Sequence, residues 1–125
     1  MDLKIKILIV DDIASMRKIV TDSLFQIGFS NLVEAKDGEN ALKTLKVNKI
    51  DLILCDWNMP KMTGIELLKA VRNDEKLKHI PFIMITAEGR KENILDAIKT
   101  GVSNYIVKPF NTEALKTKIE SVFKD

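Results

Sequence analysis

The chain has 125 residues, of which 46% are hydrophobic and 30% are charged, and its formal net charge is +2. These values are typical of a globular protein, and we expect a single domain over residues 1–125. The weak positive charge gives no reason to expect nucleic acid as a partner. No apolar run approaches the roughly 20 residues that a membrane-spanning helix needs, so we expect no membrane contact either.

The amino terminus does not have the pattern of a signal peptide, and Cys55 is the only cysteine. One cysteine cannot form an internal disulfide, which fits a reducing compartment. We therefore expect a cytoplasmic protein in which Cys55 is a small buried hydrophobe. Nothing in the sequence indicates an oligomer, so we expect a monomer.

Five apolar runs alternate with five segments in which apolar residues recur every three or four positions. The runs predict strands at about residues 5–10, 32–35, 52–55, 82–85 and 104–107. A helical segment follows each of them. Regular alternation of strands and helices predicts an α/β fold, with a doubly wound parallel sheet and helices on both faces.

Two of the predicted helices carry further signals. Thr63 and Glu66 have the spacing of a capping box, in which Thr63 is the N-cap and Glu66 reaches back to it. The fourth helix is expected over about residues 91–99. We expect three of its residues to face inward: Ile94, Ala97 and Ile98.

Polar residues follow four of the five strands at their carboxyl ends. Asp11 and Asp12 follow the first strand, Asp56 the third, Thr86 the fourth and Lys108 the fifth. In a right-handed doubly wound sheet, the ends of the first and third strands flank the point where the strand order reverses, and ligands bind there. The sequence therefore predicts that three carboxylates meet in one cleft.

Three close carboxylates need a cation, because each close pair costs about 1–4 kcal/mol at surface-like dielectric. Oxygen ligands without histidine or cysteine suit Mg2+, with Mn2+ as the alternative. Each signal alone also has a structural explanation. An Asp-Asp pair can cap a helix, a strand-terminal Thr can be structural, and a Lys-Pro step can be a turn. All of them at the correct strand ends favour a functional site.

A phosphoryl group is the natural substrate of such a magnesium site. Lys108 could bind one phosphoryl oxygen as a point charge, and the Thr86 hydroxyl could donate to another. Asp56 is then the candidate nucleophile. Asn58 stands two residues later and cannot act as a general acid or base. The pattern thus predicts a phospho-aspartate that persists long enough to signal.

These motifs resemble the receiver domain of two-component response regulators. They stand in that family's order and spacing: Val10-Asp11-Asp12, Asp56-Trp57-Asn58-Met59-Pro60 with Gly64, Thr86-Ala87-Glu88 and Lys108-Pro109-Phe110. Within the family, the chain is most similar to single-domain chemotaxis regulators of the CheY type. The features that indicate this include Ser15-Met16-Arg17, Trp57, Lys91-Glu92-Asn93-Ile94 and Tyr105.

The resemblance implies a flavodoxin-like (β/α)5 fold with strand order 2-1-3-4-5. It also implies that Asp56 accepts a phosphoryl group from a CheA-type histidine kinase, and that the protein is a phosphoacceptor rather than an enzyme with a separate substrate. Asp12 and Asp56 would bind Mg2+ directly, together with the Asn58 main-chain carbonyl. Asp11 would hold the ion through water.

The resemblance further implies that Thr86 and Lys108 bind the phosphoryl oxygens, and that the Lys108-Pro109 peptide bond is cis. Thr86 and Tyr105 would couple the site to a surface made by the fourth helix, the fifth strand and the fifth helix. Four residues match the part of that surface which binds the flagellar motor switch protein: Lys91, Ile94, Tyr105 and Lys118.

Departures from the family pattern and other functions stay open at this point. Ile13 stands where related chains can carry an aromatic residue, and Gly89 loosens the loop before the fourth helix. Glu88 could engage a phosphatase or be a solvated loop residue.

One alternative function is a phosphorelay intermediate that passes phosphate to a histidine phosphotransferase. A magnesium-dependent small-molecule phosphatase is another, although Asn58 argues against it.

Overall fold

Five parallel strands form one sheet in the order β2-β1-β3-β4-β5. A computed structural model describes residues 1–87 and 91–123, with only the backbone of Lys91. The strands are β1 (Ile7–Val10), β2 (Leu32–Ala35), β3 (Leu52–Asp56), β4 (Phe82–Thr86) and β5 (Asn104–Val107). The helices are α1 (Ala14–Ile27), α2 (Gly38–Val47), α3 (Gly64–Arg72), α4 (Lys91–Thr100) and α5 (Thr112–Val122). The α/β fold predicted from the sequence pattern and the strand order implied by the resemblance are both confirmed.

The three central strands are buried along their whole length. Successive side chains point to opposite faces, so each strand contributes to two hydrophobic clusters. Leu8 and Ile53 face the cluster that contains residues of α2 and α3. Ile9 and Leu54 face the cluster that contains residues of α1 and α5. Burial on both faces explains why the strands are continuous apolar runs rather than alternating ones.

Helix starts follow the capping signals of the sequence. Asp37 caps α2 by accepting a hydrogen bond from the Asn40 amide. Thr63 and Glu66 form the predicted capping box at the start of α3. Asn111 is the N-cap of α5 and accepts a hydrogen bond from the Ala114 amide. These caps satisfy amides in the first helical turn, which have no partner within the helix.

The inward face predicted for α4 is only partly correct. Ala97 is buried and Ile94 is half-buried, whereas the Ile98 side chain is 57% exposed. Leu95 on the same helix is also exposed. The predicted helix is confirmed. The prediction that Ile98 faces inward is wrong, because α4 contacts the rest of the protein along a narrow stripe.

Small differences also occur at the strand ends. The first strand begins at Ile7, two residues later than about residue 5, and the third extends through Asp56 itself. Among the described residues, no helix is long and apolar enough to cross a membrane. Glu88 and Gly89, which the sequence singled out before α4, lie outside the described residues.

Candidate functional site

Three carboxylates converge at the carboxyl ends of β1 and β3. One ligand oxygen from each of Asp11, Asp12 and Asp56 lies within 4.8 Å of the other two. The strand register explains the meeting, because Val10 of β1 pairs with Cys55 of β3 and the aspartates follow directly. Asp11 and Asp56 are buried, with 4% and 8% relative exposure, whereas Asp12 is exposed.

The environment of Asp11 disfavours its charged form. Burial is the largest cause that raises the pKa of the Asp11 carboxyl, and the negative charge of Asp56 adds to it. The Ile13 amide donates to Asp11 Oδ1 at 3.0 Å and Lys108 lies nearby, and both act in the opposite direction. Repulsion among the carboxylates is therefore only partly offset by the protein itself.

Asp11 also has a local structural role just before α1. Its carboxylate accepts from the Ile13 amide, and Ile13 is the residue that precedes the helix. The Asp11 amide in turn donates to the Ala35 carbonyl at 3.2 Å. The helix-capping explanation considered from the sequence is therefore wrong for Asp11, because the N-cap of α1 is Ile13 and no side chain caps the helix. Asp11 instead fixes the turn before α1 and also belongs to the acidic cluster.

Lys108 reaches the cluster from the far side of β4. Its Nζ lies 2.8 Å from Asp56 Oδ1 and 3.9 Å from Asp11 Oδ2. The Lys108 amide donates to the Thr86 carbonyl at 2.7 Å, which fixes the start of the loop after β5. The Lys108-Pro109 peptide bond is cis, as the resemblance implied. One ammonium group thus faces two buried carboxylates.

Thr86 ends β4, the strand that lies between β3 and β5. Its side chain is buried, with 6% relative exposure. The Thr86 main chain is tied to Lys108 by the hydrogen bond described above. The fourth strand therefore brings a buried hydroxyl residue to the edge of the sheet that carries the carboxylates and the lysine.

The loop after β3 holds the cluster close to the start of α3. The Trp57 amide donates to the Ile85 carbonyl at 2.9 Å, and the Gly64 amide donates to the Trp57 carbonyl at 3.0 Å. A Cβ atom on Gly64 would lie 2.5 Å from the Asp56 main-chain oxygen. Only glycine permits this approach. Asn58 is exposed in the same loop, and Trp57 is half-buried.

Cys55 is completely buried immediately before Asp56. Its Sγ donates to the Asp56 carbonyl at 3.2 Å. Burial raises the pKa of the Cys55 thiol well above its ordinary value, and the charges of Asp56 and Asp11 add to this effect. The thiol is therefore protonated and inaccessible, in agreement with the prediction of a small buried hydrophobe.

The donor set of the cluster fits a hard divalent cation. It consists of carboxylate oxygens from two neighbouring strand ends, one exposed residue among them giving access from solvent. Mg2+ prefers oxygen ligands and usually keeps several waters, so it does not need a closed cage of protein groups.

The chain matches the family model of the response regulator receiver domain over residues 7–120. The chain belongs to the response regulator receiver family. Among curated relatives, chemotaxis protein CheY of Pseudomonas aeruginosa is 51% identical over 119 residues, which is 95% of this chain and 96% of that protein. Chemotaxis protein CheY-3 of Vibrio cholerae is 52% identical over 119 residues, or 95% of this chain and 92% of that protein.

Solved structures give the same result. The structure of chemotaxis protein CheY4 of Vibrio cholerae superposes with a TM-score of 0.89 at 37% identity, covering 96% of this chain and 99% of that one. A putative response regulator from Chloroflexus aurantiacus gives a TM-score of 0.90 at 28% identity, covering 95% and 97%. The resemblance inferred from the motifs is thus confirmed: this is a receiver domain, a signalling protein with an acidic pocket at its strand ends.

Two of the four expected partner-surface residues, Tyr105 and Lys118, meet at β5. Tyr105 is half-buried, and Lys118 Nζ lies 5.0 Å from the centroid of its ring. Lys118 Nζ also lies 3.4 Å from Asn104 Oδ1. Ile94 is half-buried on α4, whereas the side chain of Lys91 lies outside the described part of the chain.

Two features of this receiver domain were missed by the sequence interpretation. Arg17 binds both the Asp11 carbonyl and the Glu34 carboxylate beside the acidic cluster. Asn104 Nδ2 donates to Ser121 Oγ at 2.8 Å, which ties β5 to α5. Neither the Arg17–Glu34 pair nor the Asn104–Ser121 pair leaves a periodic or spacing signal, because the partners are 17 residues apart in both cases.

Proposed function

We propose that this receiver domain is a chemotaxis response regulator of the CheY type. Asp56 accepts a phosphoryl group from a CheA-type histidine kinase in the presence of Mg2+. The observation that carries the proposal is the position of Asp56, which is buried, within 4.8 Å of two further carboxylates and 2.8 Å from the Lys108 ammonium. The similarity to chemotaxis proteins over 95% of the chain supports the choice of pathway.

In the proposed reaction, a carboxylate oxygen of Asp56 attacks the phosphorus atom of a phosphohistidine. The new O–P bond forms as the P–N bond breaks, and the imidazole leaves with the bonding electrons. Mg2+, held by Asp12, Asp56 and the Asn58 carbonyl and through water by Asp11, would offset negative charge on the phosphoryl oxygens. Lys108 exchanges its contact with the Asp56 carboxylate for one with a phosphoryl oxygen.

In this proposal the Thr86 hydroxyl donates a hydrogen bond to another phosphoryl oxygen. Asn58 provides no acid or base for hydrolysis, which favours a long-lived phospho-aspartate. Water that attacks the phosphorus would therefore have no general base at this position to assist it. The domain therefore acts as a phosphoacceptor that dephosphorylates slowly, and a separate phosphatase would shorten the signal.

Phosphorylation changes the surface made by α4, β5 and α5. The added charge at Asp56 draws the Thr86 hydroxyl inward, and Tyr105 turns into the space that is vacated. The changed surface, with Lys91, Ile94, Tyr105 and Lys118, binds the flagellar motor switch protein. Exposed Leu95 and Ile98 on α4 support a protein partner at this face. We propose that the domain works as a cytoplasmic monomer.

Labelling with a small phosphodonor tests the phosphoacceptor. Acetyl phosphate and Mg2+ should add one hydroxylamine-sensitive phosphoryl group to the wild-type protein, and Asp56→Asn should abolish it. Asp22→Asn is the matched control, because Asp22 is an exposed residue of α1 whose partner is Lys18. Intact-mass spectrometry measures the label. Retention of the label in Asp56→Asn would refute the assignment of the acceptor.

Capture on the phosphorylated domain separates the competing functions. The chemotaxis proposal expects that motor switch protein binds the phosphorylated form and not Asp56→Asn. Phosphate transfer to a histidine phosphotransferase, with no binding of motor switch protein, would instead identify a phosphorelay intermediate. Repeated turnover of small phosphate esters would indicate a phosphatase, which the amide at Asn58 disfavours.

A further inference from the structure

Arg17 connects three segments around the acidic cluster. Its Nη1 donates to the Asp11 main-chain oxygen at 2.7 Å, and its Nε donates to Glu34 Oε1 at 3.0 Å. Arg17 belongs to α1 and Glu34 to β2, while Asp11 directly follows β1. The Arg17 side chain is only 18% exposed. The guanidinium is therefore held in one place rather than solvated on the helix surface.

The acceptor of the shorter bond is the carbonyl of the peptide that joins Asp11 to Asp12. Asp11 is otherwise fixed by its amide, which donates to Ala35, and by its carboxylate, which accepts from Ile13. Asp12 is exposed, so its direction depends on the orientation of the preceding peptide plane. Arg17 holds that plane through the carbonyl oxygen.

We propose that Arg17 is a positioning residue for the acidic cluster. It sets the direction in which Asp12 points relative to Asp11 and Asp56, and Glu34 in turn orients Arg17. The inference deepens the proposed function, because it rests on the cluster being the magnesium site. Arg17 itself contacts none of the reacting atoms.

The charge of Arg17 and its positioning role predict opposite effects of its removal on metal affinity, so a measurement can distinguish them. If Arg17 acted only through its charge, its removal would strengthen metal binding, because a cation near the site repels the metal ion. If Arg17 positions the carboxylates, its removal weakens metal binding. Arg17→Lys separates the two further, since an ammonium keeps the charge but cannot reproduce the planar fork of a guanidinium.

Binding of Mn2+, measured as loss of the free-ion paramagnetic resonance signal, tests the proposal. We expect the dissociation constant to rise about tenfold in Arg17→Ala, as for other outer partners of metal ligands. Arg17→Lys and Glu34→Gln should each raise it by a smaller factor. Lys18→Ala is the matched control on the same helix, and its exposed ion pair with Asp22 predicts a change within about twofold.

A metal-independent measurement accompanies the titration. Hydrogen exchange at the Asp12 and Ile13 amides should be faster in Arg17→Ala and in Glu34→Gln, and unchanged in Lys18→Ala. Because Glu34 is half exposed, Glu34→Gln tests the arrangement in a variant whose core is intact. Unchanged or tighter Mn2+ binding in Arg17→Ala would overturn the proposal, and so would unchanged exchange at both amides in that variant.

The same experiments distinguish a failure of this inference from a failure of the proposed function. A wild-type protein that does not bind Mn2+ would contradict the metal site itself, whereas the exchange rates would still decide whether Arg17 holds the turn. Wild-type binding with no loss in Arg17→Ala would contradict the positioning role alone.

Discussion

At the scale of single residues, the acidic cluster is a source of instability that a bound cation would remove. Asp11 and Asp56 are both buried, and one ammonium, that of Lys108, lies 2.8 Å from Asp56 and 3.9 Å from Asp11. Two buried carboxylates and the nearby Asp12 therefore exceed the positive charge that faces them. Under the proposed function this excess is needed, because a neutralised site would not attract Mg2+.

Replacing Asp11 by asparagine should stabilise the metal-free protein. The amide side chain in Asp11→Asn would keep an oxygen to accept from the Ile13 amide and would remove one buried charge. We expect the free energy of unfolding at neutral pH to rise by about 1–2 kcal/mol, from relief of carboxylate repulsion. Urea denaturation in the presence of a chelator measures it. Asp12→Asn, at an exposed position, is the control and should gain less.

The gain in the free energy of unfolding of Asp11→Asn should be present at neutral pH and lost at acid pH. Burial raises the pKa of Asp11 from its ordinary value of 3.8, so the folded protein holds this proton more tightly than the unfolded chain. The contribution of Asp11 to stability therefore falls as pH rises from 3.8 through the raised pKa. The advantage of Asp11→Asn should disappear below pH 3.8. A gain that grew towards acid pH would contradict the burial of a destabilised carboxylate.

At the scale of elements, the first residues of α2 and α3 show how closely the helices approach the sheet. Both are glycines, and a Cβ atom at either position would be too close to a neighbour. At Gly64 that neighbour is the Asp56 main-chain oxygen, at 2.5 Å. At Gly38 it is the side chain of Met62, with Sδ at 2.6 Å. A main-chain oxygen in a central strand cannot move aside. A rotamer change would move Met62 Sδ but not Met62 Cβ, which is also 2.7 Å away, so at Gly38 the loop that carries Met62 must shift.

The pair Gly64→Ala and Gly38→Ala therefore tests this packing with matched substitutions. We expect Gly64→Ala to lower the free energy of unfolding by about 1–3 kcal/mol, as for other overpacked sites. Gly38→Ala should cost less than Gly64→Ala, because the clash with Met62 Cβ can be relieved by a shift of the loop after β3, whereas Asp56 lies in a central strand. Urea denaturation followed by Trp57 fluorescence measures both. Equal losses in the two variants would show that the contact with the Asp56 backbone is not the limiting one.

The helix α4 illustrates what an element-scale pattern leaves undetermined. Its apolar positions have helical spacing, but Leu95 and Ile98 are exposed and only Ala97 is fully buried among its described side chains. Part of its attachment comes from Arg72 of α3, whose Nε donates to the Gly101 carbonyl at 2.8 Å just beyond the helix. Periodicity cannot distinguish an apolar face that packs on the core from one that is left for a partner.

At the scale of the whole molecule, the fold was predictable because each strand and helix carries its own signal. Continuous apolar runs indicated buried parallel strands, and the position of Asp11, Asp56 and Lys108 after those runs indicated where they would meet. The contact of Arg17 with Glu34 was not predictable, because it joins α1 to β2 through side chains with no sequence relation. The lengths of the strands, and the exposure of α4, also required the structure.

Binding of Mg2+ should stabilise the whole domain by mass action. If the folded state binds the ion and the unfolded chain does not, free Mg2+ at ten times its dissociation constant adds about 1.4 kcal/mol to the free energy of unfolding. The gain should be much smaller in Asp56→Asn, which lacks one ligand charge. Urea denaturation at several Mg2+ concentrations measures it. A gain of equal size with K+ at matched ionic strength would indicate screening rather than a site.

The rate at which a reagent modifies the buried thiol of Cys55 offers a second measure of the stability of the folded protein. Cys55 has no exposed surface, lies in the central strand beside Asp56, and is the only thiol in the chain. A thiol reagent can therefore modify the protein only when that strand opens, and each modified molecule records one opening event. When closing is faster than modification, the labelling rate is proportional to the population of open molecules. A cation that binds the acidic site of the folded protein should therefore slow the labelling of Cys55, although it does not react with the thiol.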